Sequence, residues 1–246
     1  KTCCTGWPDM TTVIRPSVVL VSGQLLTAAC WAPQIEALSP DYDIRIADHG
    51  RDDTIGGMAA RLLAEMPERF DLVAHAMGGF VAFEVLRRAP DRVRSLALLS
   101  TLAPADQPAQ TERRQGYIRL VEAGRFDAVV EERVPILLHP ARREDEALLS
   151  VVRRMARETG AERFLGQQRA IMARADSRPG LPAIPCPTLL VWGRQDGIAT
   201  EAHQQEMLAA IPDCRLTVIE DCGHLITLER PATVNAVLAD WLAISR

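Results

Sequence analysis

Short apolar runs alternate with helix-length amphipathic segments along most of this sequence. The predicted strands occupy residues 17–21, 42–47, 70–74, 93–99, 188–192 and 216–219. Helical patterns separate them, near residues 31–38, 54–66, 80–86, 200–211 and 231–244. Strands that are apolar along nearly their whole length are typical of a parallel sheet covered on both faces. We therefore expect an α/β fold with a mainly parallel sheet of about six strands and helices on both faces.

The alternation stops once, between residues 102 and 187. Residues 105–178 show helical patterns only, and a cluster of Pro and Gly at 179–187 ends the segment. One helical stripe consists of Phe126, Val129, Val130, Val134 and Leu137. An insertion that follows the carboxyl end of a strand lies over the edge where open α/β sheets bind ligands. We predict a core formed by 1–101 and 188–246 and a helical cap, or lid, formed by 102–187, rather than an independent helical domain.

Composition narrows the classes of partner. Lys and Arg total 28 and Asp and Glu total 32, which gives a net charge of −4. This balance predicts neither a nucleic-acid partner nor an anionic membrane surface. No apolar run approaches the roughly 18 residues that a membrane span needs, and the first residues do not have the pattern of a secretory signal. We expect a soluble, cytoplasmic protein.

Neither the cysteine pattern nor the common cofactor motifs indicate a metal or cofactor site. Six cysteines occur without any CxxC spacing, and the adjacent Cys3 and Cys4 do not form a metal-binding pattern. Reduced thiols with structural roles are the expected state in a cytoplasm. The motifs GxGxxG, the P-loop and HExxH are absent from the sequence. We therefore predict no metal and no cofactor.

The turn after the third predicted strand has a distinctive composition. It is Ala74-His75-Ala76-Met77-Gly78-Gly79, which has the frame of the strand-turn-helix motif G-x-S-x-G called a nucleophile elbow. In such a turn, small residues let neighbouring backbone approach, and the following helix directs its first N–H groups at a developing oxyanion. The central position holds Ala76, which has no nucleophilic group.

Two titratable residues follow later strands. Asp196 comes just after the strand at 188–192, and His224 lies in the loop after the strand at 216–219. The chain order of position 76, Asp196 and His224 is the nucleophile, acid, base order of α/β-hydrolases. In that chemistry the imidazole takes the proton of a hydroxyl nucleophile, and the acid orients the imidazole and stabilises the imidazolium. The sequence therefore predicts Ala76, Asp196 and His224 as one catalytic group.

Four segments of the chain resemble the α/β-hydrolase superfamily, in particular its capped esterase-like and lactonase-like members. They are Leu20-Val21-Ser22-Gly23-Gln24-Leu25 with Trp31, Ala74-His75-Ala76-Met77-Gly78-Gly79, Gly193-Arg194-Gln195-Asp196, and Cys222-Gly223-His224 with Glu229-Arg230-Pro231. The resemblance covers residues 17–244 and implies the α/β-hydrolase fold with an inserted cap. It further implies an oxyanion hole formed by the amide of Met77 and by that of Gln24 or Leu25. Ser22 stands where the family usually has a histidine.

The departure at Ala76 leaves two explanations. Either the chain is an active-site variant in which alanine replaces the serine, or the protein naturally lacks a nucleophile and uses His224 as a general base or only binds a ligand. For the competent form we predict a serine hydrolase that cleaves a small carboxylic ester or lactone through an acyl-enzyme. The alternatives are a ligand-binding protein, a His-based lyase and a C–C bond hydrolase.

The predicted substrate site takes its character from the cap. Its apolar residues imply a largely apolar pocket for a small acyl substrate, with Tyr117, Phe126 and Phe164 among them. The arginines of the cap either pair with a substrate carboxylate, pair with acids of the cap or lie on solvated helix faces. Of the other histidines, His49 is expected to have a structural role, and His139 and His203 are expected at the surface.

Overall fold

The sheet has six strands, and every neighbouring pair is parallel. The computed structural model describes residues 15–244, so the predictions for Cys3, Cys4 and the first residues lie outside the described part. The strands are β1 (Ser17–Val21), β2 (Asp43–Ile46), β3 (Phe70–His75), β4 (Val93–Leu99), β5 (Thr188–Gly193) and β6 (Cys214–Ile219). They are ordered β2-β1-β3-β4-β5-β6. The predicted α/β fold is therefore confirmed.

Helices fill the connections between the strands. They are α1 (Ala32–Leu38), α2 (Ile55–Glu65), α3 (Met77–Arg88), α4 (Pro108–Glu122), α5 (Phe126–Ile136), α6 (Glu146–Met172), α7 (Glu201–Ala210), α8 (Ile226–Glu229) and α9 (Pro231–Ile244). In the described part of the chain, no helix combines the length and the apolar character that crossing a bilayer requires.

Both faces of the sheet are covered. Successive strand residues point to opposite faces, and in β1 both sets are apolar. Val18 shares one buried cluster with Leu38 of α1 and Leu238 of α9. Val19 belongs to a second cluster, which includes Met58 of α2. This arrangement explains why the strands are apolar throughout rather than alternating.

The segment between β4 and β5, which we call the helical insertion, consists of α4, α5 and α6. The centre of the predicted stripe is buried in α5, where Val129, Val130 and Val134 are 0 % exposed. They join the same cluster as Val18, so the insertion packs directly on the core. Within α6 the backbone at Gly160 is not helical, with φ 76° and ψ 167°, so α6 consists of two helical stretches that meet at a kink.

The parallel arrangement brings four chain segments to one edge. The carboxyl ends of all six strands lie at the same edge of the sheet, and the residues that follow β3, β4, β5 and β6 meet there. Ala76 follows β3, Ser100 follows β4, Asp196 follows β5 by three residues and His224 lies in the loop after β6. The helical insertion leaves the sheet at the same edge, directly after β4.

Candidate active site

Ala76 occupies a strained backbone conformation at the junction of β3 and α3. It has φ 50° and ψ −114°, a region that costs a non-glycine residue about 1–3 kcal/mol. Hydrogen bonds hold the conformation. The Ala76 N–H donates to the Leu99 carbonyl (2.9 Å), and the Ala76 carbonyl accepts from the Thr101 hydroxyl (2.7 Å). The turn therefore fixes the direction of the side chain at position 76.

The glycines beside Ala76 allow this turn to pack. A Cβ added to Gly78 would lie 2.4 Å from the Val21 carbonyl oxygen. One added to Gly79 would lie 2.2 Å from the Thr101 hydroxyl. Neither distance is possible for a real Cβ atom, so the small residues of this segment are required by the close approach of β1 and of the loop after β4.

His224 and Asp196 form a buried pair. The His224 Nδ1 lies 2.8 Å from the Asp196 Oδ2, and the two side chains are 7 % and 0 % exposed. The other oxygen of Asp196 accepts the backbone N–H groups of Ile198 (2.8 Å) and Ala199 (3.0 Å). With its carboxylate held in this way, Asp196 accepts the Nδ1 proton, which leaves Nε2 as the basic nitrogen of the ring.

The backbone of His224 is held from two sides. Its N–H donates to the Leu137 carbonyl of the helical insertion (3.0 Å), and its carbonyl accepts from the His75 Nε2 (2.9 Å). Burial lowers the pKa of His75 to about 4, so this imidazole is neutral near neutral pH. His75 therefore positions the His224 loop as an uncharged donor.

Glu229 holds the loop that carries His224 through hydrogen bonds and an ion pair. Its carboxylate accepts the backbone N–H groups of Gly223 (3.1 Å) and His139 (2.9 Å) and pairs with Arg142 (3.2 Å). This gives a structural reason for the Glu229-Arg230-Pro231 segment noted in the sequence.

The thiol of Cys222, next in the chain to Gly223, is buried, and burial raises its pKa to about 12. Cys222 is therefore a packed thiol rather than a nucleophile.

The amides proposed for the oxyanion hole differ in availability. Met77 is the first residue of α3, where N–H groups have no partner within the helix, and it lines the same cavity as Gln24. The N–H of Leu25 instead donates to the Gln167 Oε1 of α6, at 3.2 Å. Of the two amides that the sequence left open, that of Leu25 already has a partner.

Ser22 supports the loop that carries Gln24. Its hydroxyl accepts from the Trp31 Nε1 (3.1 Å), and its carbonyl accepts from the His49 Nε2 (2.8 Å). His49 is 6 % exposed and bonds only backbone, in the structural role expected of it. Ser22, which stands where the family usually has a histidine, therefore holds the chain in place at the end of β1.

A cavity of about 430 Å³ lies between the sheet edge and the helical insertion. From the core it is lined by Gln24, Ala76, Met77 and His224. The insertion contributes apolar side chains such as Ile136 and Leu137, together with the arginines Arg113, Arg114, Arg133, Arg143 and Arg174. The lining is therefore mixed and not largely apolar as expected, because five arginines of the helical insertion lie among its apolar residues.

Two further polar residues of the cavity were missed in the sequence. Ser100 has φ 47°, is 0 % exposed, and its hydroxyl has no hydrogen-bond partner within the described part of the chain. His203, expected at the surface, also lines the cavity. Its Nδ1 accepts the Thr200 N–H (3.1 Å) at the start of α7, and partial burial lowers its pKa. Among residues 15–244 no group of three His, Cys, Asp or Glu side chains is arranged to hold a metal.

Comparison with known families agrees with this fold and site. The chain matches the alpha/beta hydrolase family over residues 18–237, and it belongs to that family. RutD of Shigella flexneri serotype X, whose name describes it as a candidate carbamate hydrolase, is 30 % identical over 93 % of this chain and 91 % of its own length.

Two solved structures are similar over nearly the whole chain. A thermophilic esterase from Thermogutta terrifontis, with malate bound, superimposes with a TM-score of 0.86 at 27 % identity, covering 94 % of this chain and 91 % of that one. The enol-lactonase from Burkholderia xenovorans LB400 gives a TM-score of 0.83 at 25 % identity, covering 93 % and 92 %. The predicted resemblance to the α/β-hydrolase superfamily is confirmed.

Proposed function

We propose that position 76 is the nucleophile position of a serine hydrolase and that this chain carries alanine in place of the serine. The competent form, with serine at position 76, hydrolyses a small carboxylic ester or lactone. The observation that carries this proposal is the buried His224–Asp196 pair, 2.8 Å apart, in the same cavity as the strained turn at Ala76.

The proposed reaction has two stages. A serine hydroxyl at position 76 attacks the substrate carbonyl as its proton passes to the His224 Nε2, and the amides of Met77 and Gln24 stabilise the oxyanion. His224 then gives that proton to the departing alcohol oxygen, which leaves an acyl-enzyme. Water attacks the acyl group by the same route, releases the acid and restores the serine. A methyl group at position 76 cannot begin this sequence.

The relatives support the choice of substrate class. The two similar structures are those of an esterase and an enol-lactonase, and RutD is named for a carbamate. All three names describe hydrolysis at a carbonyl bound to a heteroatom. This favours an ester or lactone over a C–C bond as the substrate of the present cavity.

The retained machinery favours the variant explanation of Ala76. A protein that only binds a ligand does not need the Asp196–His224 pair, the positive φ at position 76 and the two tightly packed glycines together.

We also propose that the helical insertion acts as the lid of the cavity, since α4, α5 and the end of α6 supply much of its lining.

The direct test is to restore the hydroxyl. The Ala76→Ser variant is expected to hydrolyse short p-nitrophenyl esters or small lactones. The unaltered chain is expected to show no such hydrolysis. The matched control, Ala76→Ser with His224→Ala, is expected to lose activity by several powers of ten. If Ala76→Ser turns over no such ester or lactone, the ligand-binding alternative is favoured. The alanine at position 76 is the main observation that supports that alternative.

A further inference from the structure

The cavity has a charge opposite to that of the whole chain. The protein has a net charge of −4. The cavity is nevertheless lined by five arginines, and among the described residues Asp106 is its one carboxylate. All five arginines belong to residues 102–187, so the helical insertion supplies the positive charge, whereas Ala76 and His224 belong to the core.

Two of these arginines are already paired. Arg114 and Arg174 each lie 2.6 Å from the carboxylate of Asp106, whose side chain is 2 % exposed. Arg174 is further held by the carbonyls of Ile171 (2.8 Å) and Pro104 (2.8 Å). One aspartate therefore holds two arginines in place, and a positive charge remains in excess on this wall.

Arg133 of α5 differs from that pair. Its guanidinium carbon lies 5.2 Å from the centre of the Tyr117 ring. Its Nε is buried, and within the described part of the chain it has no hydrogen-bond partner. Burial, followed by the positive charges of Arg114 and Arg113, lowers the pKa of Arg133. This Nε is too enclosed for a ligand to reach, so a ligand in the cavity can bind only the Nη groups of Arg133.

Arg113 and Arg143 complete the set. Both are exposed and yet line the cavity, which places them at its opening. A cluster of like charges at the mouth of a low-dielectric cavity raises the local concentration of a ligand of opposite charge. Within residues 15–244, Arg113, Arg133 and Arg143 of this cavity have no carboxylate partner.

We propose that the cavity is a subsite for a carboxylate, and that the substrate is a small anionic ester or lactone whose carboxylate binds Arg133 while its acyl carbonyl lies at position 76. The Nη–H groups of a planar guanidinium can donate to the two oxygens of a carboxylate. The volume of about 430 Å³ suits a compact molecule with one such group. The inference rests on the proposed function for the role of the acyl end, but the binding of the carboxylate stands independently of catalysis.

Binding to the chain as it exists gives the first test. Monomethyl succinate carries one carboxylate and one ester, and dimethyl succinate is its uncharged match. Calorimetric titration is expected to show binding of the monoester at least about tenfold tighter than that of the diester. Arg133→Gln is expected to weaken monoester binding by about 10- to 100-fold and to leave diester binding unchanged. Arg119→Gln, which removes an exposed arginine of α4 outside the cavity, is the control and is expected to have no effect.

Two further variants guard against a misfolded Arg133→Gln. Arg133→Lys keeps the charge but not the planar fork, and it is expected to recover part of the lost affinity. Arg143→Gln changes an exposed residue and is expected to weaken the monoester by a few fold. Equal binding of the two succinates, no monoester binding at millimolar concentration, or no effect of either the Arg133 or the Arg143 variant would overturn the proposal.

Kinetics separates this inference from the proposed function. In the Ala76→Ser background we expect kcat/KM for the monoester to exceed that for the diester, and Arg133→Gln to remove the preference mainly through KM. If the restored enzyme cleaves the diester as well as the monoester, the carboxylate subsite is wrong and the hydrolase stands. If it cleaves neither but still binds the monoester through Arg133, the hydrolase is wrong and the subsite stands.

Discussion

The backbone N–H of Leu25 donates to the Gln167 Oε1 at 3.2 Å, and both groups are buried. This contact joins the loop after β1 to α6 of the helical insertion. Leu25 has φ 62°, so the loop that carries Gln24 is held in a conformation that its sequence does not favour by itself. The insertion therefore does more than cover the cavity, since it also fixes a wall of the proposed oxyanion hole.

Removing the acceptor of this bond is expected to destabilise the fold. Gln167→Leu leaves the buried Leu25 N–H without a partner, which costs about 1–3 kcal/mol. Urea unfolding followed by circular dichroism measures the change. The control is Gln205→Leu on α7, an exposed position where we expect a change within about 0.5 kcal/mol. Equal effects of the two variants would contradict the role given to Gln167.

The Asp196–His224 pair makes a prediction about tautomers. Asn at position 196 can still accept the N–H groups of Ile198 and Ala199, so the loop is expected to fold. Its amide donates to the His224 Nδ1 and moves the ring proton to Nε2, where it blocks the general base. In the Ala76→Ser background, Asp196→Asn is therefore expected to lower kcat by about 10³- to 10⁴-fold. A loss of less than about tenfold in ester hydrolysis would argue against this pairing.

The packing of the turn predicts a large effect of one methyl group. Gly78→Ala places a Cβ against the Val21 carbonyl, which is backbone and cannot turn away. We expect a loss of about 1–3 kcal/mol in the free energy of unfolding. Gly180→Ala is the matched control, because an added Cβ there meets nothing within 4 Å. Similar melting temperatures for the two variants would show that the turn is looser than described.

His75 predicts a dependence of stability on pH. Its pKa is about 4 in the folded chain because burial disfavours the imidazolium, and an unfolded histidine titrates near 6.5. Above pH 6.5 both states are neutral and His75 contributes no slope. As the pH falls from 6.5 to 4, only the unfolded state takes up the proton, so the native state loses up to about 3 kcal/mol of stability.

Replacing this residue isolates its contribution. His75→Gln keeps a donor for the His224 carbonyl but does not titrate. Denaturant titrations at a series of pH values are expected to show a smaller loss of stability between pH 6.5 and 4 in this variant than in the parent. His49, whose pKa burial also lowers, is present in both proteins and accounts for part of the remaining slope. Parallel curves for the two proteins would rule out the titration of His75.

The sheet was predictable from sequence because its signals are local. Each strand is a short apolar run, and parallel connections force the segments after β3, β5 and β6 to the same edge. The small residues around Ala76 were informative for the same reason, since a tight strand-to-helix turn excludes larger side chains there. Position 76, Asp196 and His224 could therefore be selected without knowing any distance.

The wall formed by the insertion was not predictable in this way. A helical stripe tells which face of α5 is buried, but Arg133 lies beside that stripe, and its direction depends on how α4, α5 and α6 pack together. The choice between Gln24 and Leu25 depended in the same way on Gln167, which is distant in sequence. Ser100 gave a weaker signal still, because a small polar residue after a strand is common.

Covalent labelling of the restored hydroxyl tests the central claim most directly. The Ala76→Ser variant and the unaltered chain are treated with a fluorophosphonate, and intact and peptide mass spectrometry locate the adduct. We predict one phosphonyl group per chain, at position 76, formed only in the variant and lost when His224→Ala is added. No adduct on the variant, or an adduct at another residue such as Ser100, would contradict the account.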